Sequence, residues 1–418
     1  MKKKLSTTYV SHGILGIFFA VITLITNANT ASSFKPLEIR TADQETIYAD
    51  LYLPNKKPPR AIIVMVPGTA GLSDPYFIGS IKSSRYTPHY KGGLTQALTS
   101  NRFAFLSYNQ RGYRRLNECV RGDNEFARQL SFSEKCILKN LRMHVDLKTI
   151  TRDTLSVLLE AQVIARKMKA PMLVLSFSEG TYHVSKLLRI NNIGIVGLIG
   201  VGSPITTLSE TFEQQLREKY IFDVLENALK TCNLNGKISI DEVFNCSTKN
   251  ISVRAKERLT ITLGTGITET SEITKKKEHV NKIADDIIKY YQDLQSPHPI
   301  SGWLETQELI ENWSSAYFSE IFQERSNIYD NLWSANLPIQ LIYGELDMQV
   351  QPPNSLVRGQ NLATIDNRIE IKIIKNLDHY LSQDEKQISK SGLEQILASI
   401  RTILRVNKGL KSHSTTQN

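Results

Sequence analysis

The sequence predicts an α/β fold: a mainly parallel sheet flanked by helices, with an inserted, mostly helical cap. Three observations carry this expectation. Short apolar runs alternate with amphipathic stretches along the chain, the pattern of strands and crossover helices in a parallel sheet. The stretch between Val201 and Ile339 is too long for a loop and is helical in pattern. The 418 residues, 41% hydrophobic and 22% charged, suffice for one large α/β domain carrying an insertion.

The elements follow in order. Residues 1–31 read as an export signal: Lys2, Lys3 and Lys4, then a 12-residue apolar run from Ile14 to Ile25, then small residues up to Ala31. The run is too short to span a bilayer comfortably, and an uncleaved membrane anchor is the alternative. Residues 32–203 form the first part of the core. Leu37–Arg40 and Ile47–Leu53 are expected to open it as an antiparallel pair, followed by buried strands Ala61–Val66 and Phe103–Tyr108 with a helix at Leu94–Thr99 between them. A long amphipathic helix at Leu147–Lys169, a strand at Met172–Ser176, a helix at Thr181–Ile190 and an apolar run at Ile195–Val201 complete it. Residues 204–335 form the cap, with helices expected at Phe212–Lys230, Val280–Leu294 and Leu304–Phe322. Its last third holds Trp303, Trp313, Trp333, Tyr317, Phe318 and Phe322, read first as cap core and second as an apolar substrate wall. Residues 336–406 return to the core through Ile339–Tyr343, Ile369–Ile374 and a helix around Leu393–Leu404. Residues 407–418 form a polar, frayed tail.

The formal charge is +10, three units of it at Lys2, Lys3 and Lys4. The remainder is dispersed (Arg114-Arg115, Lys275-Lys276-Lys277) without an aromatic-interleaved basic stripe. Weak association with anionic membrane surfaces fits this pattern; nucleic-acid binding does not. Four cysteines suit an oxidising compartment and allow three pairings, of which Cys119–Cys136 and Cys232–Cys246 close the shortest loops. No C-x-x-C or nearby histidine gives zinc spacing, so no metal is expected.

The chemistry is carried by three segments. A buried strand runs into Ser176-Phe177-Ser178-Glu179-Gly180 and directly on into a helix, a turn that exposes its central serine. His379 follows strand Ile369–Ile374, in Leu377-Asp378-His379-Tyr380. Asp347 follows Ile339–Tyr343, in Gly344-Glu345-Leu346-Asp347, with Glu345 as its nearby alternative. These segments resemble the α/β-hydrolase superfamily, whose elbow is usually G-x-S-x-G and whose triad runs serine, acid, histidine along the chain. The resemblance covers roughly Leu37 to Leu404 outside the cap. It departs from the family pattern at Ser176 and Pro67, where glycine and histidine are usual, and at Asn109 in Asn109-Gln110-Arg111-Gly112, where aspartate is usual.

The resemblance implies Ser178 as nucleophile, His379 as base and Asp347 as the residue orienting that base. It implies an oxyanion hole made by the backbone amides of Thr69 and Glu179 and hydrolysis without any cofactor. Arg111 is read as structurally paired in support of the site's rim, with substrate contact as the alternative. The expected activity is that of an exported serine hydrolase, periplasmic or secreted, cleaving small-molecule carboxylic esters or acyl lipids through an acyl-enzyme. A serine-aminopeptidase-like peptidase is the second reading, with Glu311, Glu320 and Glu324 as candidates to meet a free amino terminus. An exported, non-catalytic binding protein is the third. Separately, Thr231–Glu242 resembles an EF-hand loop, with Gly236, Ile238 and Glu242 at its sixth, eighth and twelfth positions. Only Glu242 would bring ligand charge, so a polar turn is the preferred reading.

Overall fold

The computed structural model describes residues 33–55, 57–69, 93–114, 138–190, 193–232, 236–246, 251–264, 267–293, 314–350, 368–383 and 388–414. The expected signal segment, Cys119, Cys136, Trp303, Trp313 and Glu311 lie outside them.

Eight strands form the main sheet: β1 (Ser33–Arg40), β2 (Thr46–Leu53), β3 (Ala61–Val66), β4 (Phe103–Tyr108), β5 (Met172–Phe177), β6 (Ile195–Val201), β9 (Ile339–Gly344) and β10 (Ile369–Ile374). Their spatial order is β1-β2-β4-β3-β5-β6-β9-β10. β2 is antiparallel to both neighbours, and every other pairing is parallel.

The uninterrupted apolar runs find their reason in the packing. In β3, Ile62, Val64 and Val66 join a core on one face, while Ala61, Ile63 and Met65 join a core on the other. β4 and β5 divide their side chains in the same way, so a strand with both faces buried loses the polar alternation of a one-sided sheet. Helices α3 (Leu147–Met168) and α4 (Gly180–Leu187) cover the first face. Helices α1 (Leu94–Ser100) and α12 (Lys390–Ser414) cover the second. Between α1 and α3 lies the short α2 (Lys139–Arg142). The ends of α3 are set by its sequence: Asp146 accepts the Thr149 amide at 2.7 Å, and Lys169 closes the helix in the left-handed region at φ 51°. α12 continues past Asn407 to Ser414, so part of the expected tail is helical.

The chain leaves the sheet after β6 and rejoins it at β9. Between them lie α5 (Leu208–Leu216), α6 (Lys219–Cys232), α7 (Ile240–Cys246), α8 (Val253–Leu263), α9 (Thr270–Gln292), α10 (Ser315–Gln323) and α11 (Ile328–Ser334). The single helix expected over Phe212–Lys230 is two, because Glu218 takes φ 46° and breaks the ladder. Thr207 and Glu210 form a capping box at the start of α5.

Two short strands went unexpected. β7 (Lys237–Ser239) pairs antiparallel with β8 (Ile267–Glu269), placing Ile238 opposite Thr268. Helices α6 and α7 flank β7, while α8 and α9 flank β8, giving two helix–loop–helix units clasped at their loops. Counting back from Thr268 places Gly266 and Glu272 at positions six and twelve of the second loop, matching the first in sequence. The unit has its own core of Ile221, Phe222, Leu225, Ile238, Val243 and Leu259. Glu242 is engaged within the chain, accepting the Ser239 amide at 2.7 Å, and among the described residues no acidic, His or Cys cluster suits a metal. Cys246 is disulfide-bonded. No described helix is long and apolar enough to cross a membrane.

Arg111 has the structural role expected of it. It donates to both Asp153 oxygens at 2.9 and 2.7 Å, and to both Asp43 oxygens at 2.6 and 2.7 Å, joining α3 to the β1–β2 turn. Burial pushes the Asp153 carboxyl up, and Arg111 opposes that shift. Arg111→Ala is therefore expected to cost about 3–5 kcal/mol, read as a lowered urea midpoint, because it strands a buried carboxylate. A loss under about 1 kcal/mol would show that water replaces the guanidinium.

Candidate active site

Each expected residue sits where a parallel strand ends. β5 delivers Ser178, which holds φ 49°, a left-handed conformation costly for a residue with a Cβ. The serine amide donates to Val201 O at 2.8 Å, and the Thr181 amide returns to Ser178 O at 3.0 Å as α4 begins. Two glycines make the turn possible. A Cβ on Gly180 would lie 2.6 Å from the carbonyl oxygens of Val66 and Pro67, and one on Gly68 would lie 2.9 Å from Ser178 Cβ. Such a strained serine between the fifth strand and its helix, on this strand order, decides the architecture. The chain has the α/β-hydrolase fold.

The departure at Ser176 is accommodated by hydrogen bonding. Its buried hydroxyl lies 2.7 Å from Thr181 Oγ1, which in turn lies 2.6 Å from Ser203 Oγ. Where the chain lacks the glycine usual at this turn, a chain of hydroxyls ties β5, α4 and the exit of β6.

His379 and Asp347 meet at the same edge. His379 Nδ1 donates to Asp347 Oδ2 at 2.7 Å, since an ionised carboxylate can only accept. Asp347, fully buried, receives the amides of Gln349 and Val350 on Oδ1 at 2.9 and 2.8 Å. The imidazole lies against Gly202, where a Cβ would come within 2.6 Å of Nδ1, and Gly202 follows the Val201 whose carbonyl binds the Ser178 amide. The three residues thus converge through Val201-Gly202. Among the described residues the imidazole's hydrogen bond is the one from Nδ1 to Asp347, and none joins Nε2 to Ser178 Oγ. Glu345 accepts the Asn376 amide at 3.2 Å, while Asp347 is the carboxylate bonded to the imidazole.

Thr69 lies in the turn after β3, and its hydroxyl donates to Glu179 Oε2 at 2.6 Å. Glu179 and Thr69 therefore touch through their side chains. Two further partners escaped the sequence reading: Tyr317 of α10 donates to the same oxygen, and His183 Nε2 lies 3.0 Å from Glu179 Oε1. The four-residue spacing of Glu179 and His183 on one helix was the available signal for the second contact. Burial alone would raise the Glu179 carboxyl, but its bond and attraction to His183, with those from Thr69 and Tyr317, hold it below the usual carboxylate range.

The inserted helices reach this edge. Gln215 donates to Gln349 O at 2.9 Å beside the acid loop, and Met348 packs on the insertion's own core. Tyr317, Phe318 and Phe322 are buried with Tyr291 and Phe212, so their rings are core, while the Tyr317 hydroxyl faces the site. Trp333 is partly buried, 5.9 Å from the Tyr329 ring.

Glu320 and Glu324 are both engaged. Glu320 pairs with Lys148 at 2.7 Å, and Glu324 accepts from Tyr182 of α4 at 2.6 Å and from Lys186 at 3.3 Å. Burial would raise Glu324, but bonds from Ser326 and Tyr182 and the charge of Lys186 outweigh it, lowering the group from 4.5 to about 2. A depressed carboxylate adds stability that is present above its unfolded value and lost as pH falls. Glu324→Gln is accordingly expected to destabilise most above pH 4.5, with the gap from wild type closing toward pH 2 in stepped-pH thermal melts. A gap independent of pH would contradict the assignment.

No family model matches the sequence, and no curated protein matches it. Solved structures do. A lipase in its open form aligns with 89% of this chain and 99% of its own at 14% identity and a TM-score of 0.47. An esterase from Thermogutta terrifontis aligns over 88% and 99% at 11% identity and a TM-score of 0.42. An acylaminoacyl peptidase from Pyrococcus horikoshii aligns over 88% of this chain but 41% of its own, at 12% identity and a TM-score of 0.39.

Proposed function

We propose that this α/β-hydrolase is an exported serine hydrolase that cleaves carboxylic esters or acyl lipids through an acyl-enzyme. The observation carrying the reading is the strained Ser178 beside a His379–Asp347 pair of 2.7 Å, seated on the residue next to the one that anchors the serine amide.

Ser178 Oγ attacks the ester carbonyl carbon while His379 Nε2 takes the hydroxyl proton. The carbonyl oxygen becomes an anion held by the amides of Thr69 and Glu179. Collapse of the intermediate breaks the carbon–oxygen bond, and His379 returns the proton to the departing alcohol. Water then attacks the acyl carbon, giving its proton to the same imidazole. Release of the carboxylic acid passes that proton back to Ser178. Asp347 stays ionised throughout and stabilises each imidazolium. The helices between β6 and β9 act as a cap on this edge, with weak attraction to anionic membranes from the net positive charge. Export follows from the Lys2–Ala31 pattern.

An ester is favoured over a peptide because Glu320 and Glu324 already have partners and neither is free to meet an amino terminus. A fluorophosphonate probe, run beside p-nitrophenyl esters and aminoacyl-anilides, tests the proposal. Labelling at Ser178 with ester turnover is expected. Labelling that persists in Ser178→Ala would overturn the nucleophile, and anilide turnover alone would favour a peptidase.

A further inference from the structure

The turn after β3 is held from two sides. On one side Gln110 Nε2 donates to Gly68 O at 3.2 Å, and Gln110 Oε1 in turn accepts from the fully buried Arg142 at 3.2 Å. On the other side the Thr69 hydroxyl donates to Glu179 Oε2 at 2.6 Å. The acceptor is no ordinary surface carboxylate. Glu179 is 2% exposed, and both of its oxygens are occupied, Oε2 by Thr69 and Tyr317 and Oε1 by His183 at 3.0 Å. His183 is itself fixed, its Nδ1 lying 2.8 Å from Thr151 Oγ1 on α3.

A buried charge one residue from a nucleophile works against an anion forming nearby, so a purely structural group there would better be neutral. An ionised acceptor, however, binds a hydroxyl about twice as strongly as a neutral one. Oxyanion donors must also stand within a few tenths of an ångström of the correct place.

We infer that Glu179 positions the oxyanion hole: its amide serves as one donor, and its carboxylate holds Thr69, whose amide serves as the other. The inference rests on the proposed serine-hydrolase reading. Under it, the separation of the two donors is fixed by one side chain bridging the residues that own them. His183 and Tyr317 hold that side chain in turn, so an inserted helix contributes to the geometry of the hole.

The test uses the full chain, p-nitrophenyl butyrate as substrate, and rates per site titrated with a fluorophosphonate. Thr69→Val removes the hydroxyl while preserving shape, and is expected to lower kcat about tenfold while moving KM less than about twofold. Thr69→Ser, which keeps the hydroxyl, is expected to recover most of that loss. Glu179→Ala is expected to lower kcat about 100-fold, and adding Thr69→Val to it to cost nothing more, because both changes delete the same bond. Should Glu179→Ala fail to fold, the Val and Ser variants at Thr69 still decide the matter. A wild-type kcat in Thr69→Val, or losses that multiply in the double variant, would overturn the inference. Absence of probe labelling in the wild-type protein would instead remove the serine-hydrolase reading beneath it.

Discussion

Ser178→Ala is expected to lower kcat on a p-nitrophenyl ester by about six orders of magnitude, with His379→Ala close to the same and the double variant no worse. The non-additivity is the informative part. A serine hydroxyl is a poor nucleophile until a base takes its proton, so removing either group removes one shared step. The oxyanion amides and substrate binding would remain, leaving a residual rate about 10³ above water. Thermal melts should separate chemistry from folding. Ser178 has φ 49°, and alanine carries the same Cβ into that strained region, so its melting temperature should stay near wild type. Equal loss of activity with a collapsed melting temperature would mean the serine is needed for the turn and not for the reaction.

Much of this architecture was legible because burial leaves a plain mark on the sequence. Strand β10, at the sheet edge and only partly buried, falls on the residues expected through its alternation at Glu370 and Lys372, while β3, β4 and β6 do so because a strand covered on both faces reads as an unbroken apolar run. Ser178 and Asp347 announced themselves by position, each directly or closely following such a run, and His379 likewise. The insertion was less legible. Phe212–Lys230 has a continuous helical pattern, and nothing local betrays the break at Glu218, which Arg258 of α8 holds by an ion pair at 2.5 Å. That contact is made across forty residues, beyond the reach of periodicity. β7 and β8 are three residues each, too short to alternate visibly, and exist because two helix–loop–helix units clasp. Glu179 was read for its backbone amide alone. Its carboxylate matters through Thr69 and Tyr317, partners more than a hundred residues away in opposite directions.

Asp347→Asn is expected to lower kcat by about 10⁴-fold while leaving the fold and the substrate KM nearly unchanged. The direction follows from the donors around the carboxylate. Oδ1 accepts two backbone amides, from Gln349 and Val350, while Oδ2 faces His379 Nδ1 at 2.7 Å. An asparagine has one oxygen, and two fixed N–H groups hold it at the Oδ1 position. The NH₂ group is then turned toward His379, where it can only donate. Nδ1 must accept, the proton moves to Nε2, and the ring no longer has a lone pair for the Ser178 hydroxyl. Raising the pH should restore part of the rate, because hydroxide can then take the serine proton directly. A variant retaining more than about a tenth of wild-type kcat at neutral pH would show that Asp347 does not set the tautomer.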